Sequence, residues 1–163
     1  MLGQEVQNTK VVEEESDEGI QENLFLTFNV SHEVYGVNIL QIVEIIRLLK
    51  ITEIPETPNF IKGVINLRGK IIPVMDIRLR FGIVAKEYDD RTCIIVASIK
   101  DVEMGLIVDS VAEVVEIPPS YVEEMPQMSK NSHQRFIKGI GKINEEVKIL
   151  LDLEKLLVEE LTV

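Results

Sequence analysis

The chain has 163 residues, 45% hydrophobic and 28% charged, with a formal net charge of −11 and one cysteine, Cys93. That length suffices for one domain or two small packed subdomains with a buried core. The negative charge argues against nucleic acid and anionic membrane surfaces, which are held by clustered Lys and Arg, and a lone cysteine excludes an internal disulfide. No apolar run approaches the roughly 18 residues that span a bilayer. Met1-Leu2-Gly3-Gln4-Glu5 lacks the basic flank and apolar stretch of a secretory signal, so a cytoplasmic protein is expected.

Residues 1–23 hold seven acids against Lys10 and few large apolar groups. Such a segment buries too little surface to offset its ordering entropy, and a disordered acidic tail is expected there. From Leu24 the pattern becomes that of strands. Leu24 to Val30 turns at Ser31-His32-Glu33 into Val34-Tyr35-Gly36-Val37. Ile39, Ile42, Val43, Ile46 and Leu49 have helical spacing. The equivalent Val114, Val115 and Ile117 are β-branched and run into Pro118-Pro119, so a short turn at Ile39–Gln41 and a strand from Ile42 to Leu48 are expected. Asn66-Leu67-Arg68-Gly69-Lys70 reads as a hairpin tip. Pro73, inside the returning strand, places that strand at an edge or bulge. Cys93 to Ile99 and Glu103 to Val108 form the next hairpin pair around Lys100-Asp101. At the end, Leu153, Leu156, Leu157 and Leu161 form a helical stripe that Asp152 caps.

The chain repeats itself. Phe60-Ile61-Lys62-Gly63-Val64 recurs 76 residues later as Phe136-Ile137-Lys138-Gly139-Ile140, and Asp76-Ile77 falls on Asp152-Leu153. Before that block an offset of 69 aligns Phe25–Phe28 with Ile94–Ala97, Gly36 with Gly105, and Ile42–Ile46 with Val111–Val115. Two copies of one small unit, each of about five short strands, point to a mainly β fold of two packed antiparallel barrels with a C-terminal helix.

No constellation for chemistry emerges. His32 and His133 lie in polar, turn-like sequence without a second ligand at metal spacing and are expected on the solvated surface. Cys93 opens an apolar run and reads as packing, not as a reactive thiol. Phosphate-binding, dinucleotide and nucleophile-elbow motifs are missing, so neither an enzyme nor a cofactor is expected. What stands out is charge fringed by aliphatics. Glu44 and Arg47 sit among Ile42, Val43, Ile45 and Ile46, and Arg68 sits beside Leu67 at a hairpin tip. That mixture suits a protein-binding patch, in which the apolar centre gives affinity and the charges fix register. It equally suits a strand's covered outer face, with Arg68 decorating the turn or bracing the two barrels through a backbone carbonyl.

Val43-Glu44-Ile45-Ile46-Arg47, Ile54-Pro55, Phe60 to Gly69 and Ile72-Pro73-Val74-Met75-Asp76-Ile77-Arg78 together resemble the CheW family of bacterial chemotaxis coupling proteins, from about Leu24 to Leu157. The resemblance implies two intertwined five-stranded SH3-like barrels over residues 24–161, the first unit about 24–85 and the second about 91–157, with strands exchanged between them. It implies a non-catalytic adaptor without cofactor, recruited to receptor arrays at the inner face of the membrane without inserting into it. Its partners would be the regulatory domain of a CheA-type histidine kinase and the cytoplasmic tip of a methyl-accepting chemoreceptor. A related scaffold in a non-chemotactic sensory array is the alternative. The same domain occurs in CheA and CheV, but 163 residues leave no room for a kinase or receiver, so the free adaptor is expected. The protein-binding candidates are Glu44, Ile45, Arg47, Leu67 and Arg68.

Overall fold

The computed structural model describes residues 21–126 and 133–157. In the first half run β1 (Leu24–Val30), β2 (Glu33–Asn38), β3 (Ile42–Arg47), β4 (Ile61–Leu67), β5 (Lys70–Asp76) and the short helix α1 (Ile77–Arg80). The second half contributes β6 (Cys93–Ile99), β7 (Val102–Val108), β8 (Ser110–Glu116), β9 (Val122–Glu123), β10 (Ile137–Ile143), β11 (Glu146–Leu151) and α2 (Leu153–Leu157). The ambiguous stretch resolves as one 3-10 turn at Ile39–Gln41 leading straight into β3. Leu161 and residues 1–20 lie outside the described residues. Glu22 and Asn23, expected to belong to the tail, are hydrogen-bonded: Asn38 Nδ2 donates to the Glu22 carbonyl (2.7 Å) and the Ile117 amide to the Asn23 carbonyl (2.8 Å).

Two sheets form, ordered β3-β6-β7-β5-β4 and β8-β1-β2-β11-β10-β9. Each mixes the halves. Hairpin β1–β2 sits between β8 and β11, and hairpin β6–β7 sits between β3 and β5. The result is the expected intertwined pair of small β-barrels, except that one sheet has six strands. Its extra strand, β9, pairs with β10, and the matching place in the other sheet holds only the single bridge Thr52–Val64. The repeat survives down to single bonds. The Asp76 amide donates to the Phe60 carbonyl (2.8 Å) and the Asp152 amide to the Phe136 carbonyl (2.7 Å). The Asp76 carboxylate caps α1 at Leu79, and that of Asp152 caps α2 at Lys155. Between the two repeated phenylalanines lies Arg80, buried, its guanidinium 4.4 Å from each ring centre.

Pro73 does not mark an edge, because β5 is flanked by β4 and β7, but the alternative of a bulge holds: the β4–β5 register shifts between Ile61 and Gly63, opposite Met75 and Val74. Val64 spends its N–H and C=O on Thr52, so its cross-strand partner Pro73 points its nitrogen away from β4. On that other side, pairing with β7 starts only at Val74. The missing donor therefore costs no ladder bond.

A shared core joins the sheets, drawing Phe28, Tyr35, Met75, Ile95, Met104, Leu106 and Leu153 from both halves. Each barrel also has its own interior, and these are unequal. The first barrel buries Ile65, Ile72, Val74, Ile94, Val96 and Ile107; the second buries Phe25, Ile117 and Leu150. Where the first has Val96, Ile107, Ile65 and Ile72, the repeat offsets give Thr27, Asn38, Gly141 and Lys148. Lys148 is 7% exposed and reaches out to Glu146 (Nζ–Oε2 2.8 Å), which is itself largely solvated. A buried ammonium with a solvated partner recovers little of its desolvation cost. Lys148→Ile, which copies Ile72, should therefore raise folding stability by about 1 kcal/mol or more in denaturant titration; a loss would show that the Lys148–Glu146 pair stabilises the barrel.

The linker between the halves is strapped to the first. Arg78 donates to both Asp109 oxygens (Nε–Oδ1 2.8 Å, Nη2–Oδ2 2.7 Å) and to the Val84 carbonyl. Tyr88 donates its hydroxyl to Asp76 (2.6 Å), and burial followed by this bond raises its pKa. Burial alone would raise the Asp109 carboxyl. The hydrogen bonds from Arg78 and the Ser31 amide, with the charges of Arg78 and Lys86, outweigh it and hold the group below its ordinary value. A carboxylate depressed in the folded state gives stability that is complete above its unfolded pKa of about 3.9 and is lost as pH falls through the folded value. Asp109→Asn should lower stability at neutral pH and flatten the acid limb of the stability profile below about pH 4; an unchanged acid limb would remove Asp109 from that account.

Candidate functional site

The tip between β4 and β5 is a two-residue turn with positive φ at Arg68 (51°) and Gly69 (85°), closed by the Gly69 amide donating to Asn66 Oδ1 (2.8 Å). Two-residue hairpins want positive φ at both positions because their twist then matches that of the strands. Asn144-Glu145 makes the same turn in the second barrel, with φ of 51° and 66°. Asparagine suits that conformation and arginine does not. Backbone geometry therefore gives no reason for an arginine at position 68, and its side chain is what the position retains.

That side chain forms an ion pair with Glu44 on β3. The pair spans the mouth of the first barrel beside a second one, Lys70–Glu103 (2.9 Å). Below lies a groove of about 260 Å³ whose floor includes Ile72 and Val96 and whose wall includes Val43 and Leu67. Arg68 remains 70% exposed while paired, against 27% for Glu44. A pair this solvated contributes little to folding. Of the sequence candidates, Glu44, Leu67 and Arg68 converge on the groove. Ile45 and Arg47 do not line it: they are exposed further along β3. The suggestion that Arg68 braces the barrels through a carbonyl gives way to a side-chain pair within one barrel.

Sequence reasoning left out Lys70, Ile72 and Glu103, and gave Val43 only as an aliphatic neighbour of Glu44. Lys70 and Glu103 meet only because the exchanged strand β7 lies beside β5, a neighbour relation that no local pattern announces. It also missed the exposed Leu40, at 57%, just before β3. By the repeat offsets, the second mouth carries Glu113, Asn144 and Glu146 where the first has Glu44, Arg68 and Lys70.

His133 is not a solvated surface residue. Its ring stacks on Phe81 (centroids 4.9 Å apart), and burial lowers its pKa. His32 is exposed. Cys93 is half-buried and donates its thiol to the Arg91 carbonyl (3.2 Å). Among the described residues no group of His, Cys, Asp and Glu is placed to hold a metal ion, and no helix is long and apolar enough to cross a membrane.

The sequence model of the CheW-like domain matches residues 24–161. Chemotaxis protein CheW of Klebsiella aerogenes is 37% identical over 136 residues, covering 83% of this chain and 82% of its own. Chemotaxis protein CheW of Thermotoga maritima is 34% identical over 146 residues, covering 90% and 94%. The crystal structure of the scaffolding protein TtCheW from Thermoanaerobacter tengcongensis superposes with a TM-score of 0.78 at 37% identity, covering 85% of this chain and 94% of its own. The chain belongs to the CheW-like domain family and is a non-enzymatic chemotaxis adaptor.

Proposed function

We propose that this adaptor links the regulatory domain of a CheA-type histidine kinase to the cytoplasmic tip of a methyl-accepting chemoreceptor, working in the cytoplasm at receptor arrays. The mouth of the first barrel, with Glu44, Leu67 and Arg68, is one of its docking surfaces, and Ile45 and Arg47 border that surface on β3. The observation that carries this reading is Arg68. It occupies a backbone conformation that disfavours it, it is 70% exposed, and its ion pair contributes little to the fold. An arginine kept under those conditions offers a planar fork of donors to partner carboxylates or carbonyls. The exposed Val43 and Ile45 beside it supply apolar area, as interface centres do. Two barrels sharing strands make one stiff body, so partners held by different faces are kept in a set relation.

Arg68→Asn tests this with the residue that the second barrel uses at the same turn. The variant should fold with stability within about 0.5 kcal/mol of the parent, because Asn fits the positive φ and the lost pair is exposed. In a mixture with kinase and receptor fragment, it should bind one partner more weakly by about 2 kcal/mol and lose most of its stimulation of kinase phosphorylation. Full binding to both partners with full stimulation would end the proposal for this mouth. Loss of stability instead would make Arg68 structural.

A further inference from the structure

The linker that joins the two halves builds a polar cleft that the docking surface does not use. It measures about 290 Å³ and lies where the Ser31-His32 turn and the Asp109-Ser110 corner meet the Lys86–Arg91 stretch of the linker. Its residues are all polar or charged. Its carboxylates are already engaged. Both Asp109 oxygens take Arg78, and one also takes the Ser31 amide. Asp89 accepts from the Arg91 amide (2.9 Å) and faces the Lys86 amine at 3.5 Å, while Ser110 Oγ accepts from Asn29 (3.0 Å). Its donors, in contrast, are in surplus. The Arg91 guanidinium has no partner among the described residues, Lys86 has two N–H groups to spare, and the Ser31 and Ser110 hydroxyls and the His32 ring stand around it. Glu87 and Asp90 belong to the same linker but do not line the cleft.

Donors in excess of acceptors around a small concavity suit an oxygen-rich anion. We propose that this cleft binds a phosphate-type oxyanion, with Arg91 and Lys86 as its charged ligands and the Ser31 and Ser110 hydroxyls as neutral donors. The site has no twin in the second half. There Ser31 is replaced by Lys100, whose amine is taken by Glu154 (2.6 Å). The linker that closes the cleft also occurs once.

The test is a titration followed by amide chemical shifts at fixed ionic strength, with inorganic phosphate in one arm and phosphoserine in the other, against a chloride background. Binding should give saturable shifts at Ser31, Arg91 and Ser110. Arg91→Ala should weaken it at least about tenfold, the loss of one charge-assisted hydrogen bond. Lys100→Ala, on the opposite half, should leave it unchanged. Because the Arg91 side chain holds nothing in place, an otherwise unaltered spectrum will show that the variant is folded. Saturation by inorganic phosphate alone identifies a free ion as the ligand, and saturation by phosphoserine identifies a phosphate group carried on a larger molecule. Shifts that never saturate in either arm, or that persist at full affinity in Arg91→Ala, would overturn the proposal.

Discussion

Everything in this fold depends on two parallel strand contacts made at glycine. β2 lies parallel to β11 with Gly36 opposite Leu150, and β7 lies parallel to β5 with Gly105 opposite Val74. A Cβ on Gly36 would come within 3.0 Å of the Leu150 side chain, and one on Gly105 within 2.8 Å of both Ile94 and Val74. Glycine lets each hairpin press closely against the last long strand of the other half without displacing those side chains. Parallel neighbours cannot be joined by a tight turn, so these contacts must come from distant segments. The distance is supplied by the exchange: neither half closes a barrel with its own strands. Long-range pairing of this kind is slow to form, yet once formed it makes the shared core of Phe28, Tyr35, Met104 and Leu106 common property of both barrels.

Duplication with exchange gives two similar mouths that are free to diverge, because the pairings fix the backbone and not the tips. The divergence runs in both interior and rim. The first barrel has an aliphatic floor at Ile72 and Val96 under two ion pairs, and the second has Lys148 and Thr27 at those positions. A floor of isoleucine and valine with charges at its edge has the composition of an interface centre within a polar rim. A buried lysine reaching out to Glu146 does not. A scaffold needs distinct faces held in a constant relation, and this architecture supplies distinct faces on one body.

Much of this was legible in the residues. The Phe-Ile-Lys-Gly repeat announced the duplication, and the offsets of 76 and 69 carried it along the chain. The β-branched run at Val114-Val115 corrected the helical spacing of Ile39 to Leu49, because the equivalent strand could not be helical so close to Pro118-Pro119. What stayed hidden was set by neighbours far apart in sequence. Pro73 read as the mark of an edge or a bulge, and nothing local shows that Thr52 occupies the bonds of Val64 and turns the proline nitrogen toward the unpaired side. The groove at the first mouth was half visible. Glu44 and Arg68 stood out as charges among aliphatics, but Lys70 and Glu103 join them only through the pairing of β5 with β7. His133 read as solvated for the same reason, its stacking partner Phe81 lying some fifty residues earlier in the chain.

The central claim is that the first barrel's mouth, and not its twin, meets a signalling partner. Mapping amide chemical-shift changes on the whole chain as the kinase regulatory domain and then a receptor fragment are added tests it directly. The account predicts that one of these additions perturbs Val43, Glu44, Leu67, Arg68 and Lys70 as one contiguous patch, while the Asn144-Glu145 turn stays still in that step. A patch centred on Asn144 and Glu145, with the Arg68 turn unmoved by either partner, would contradict it.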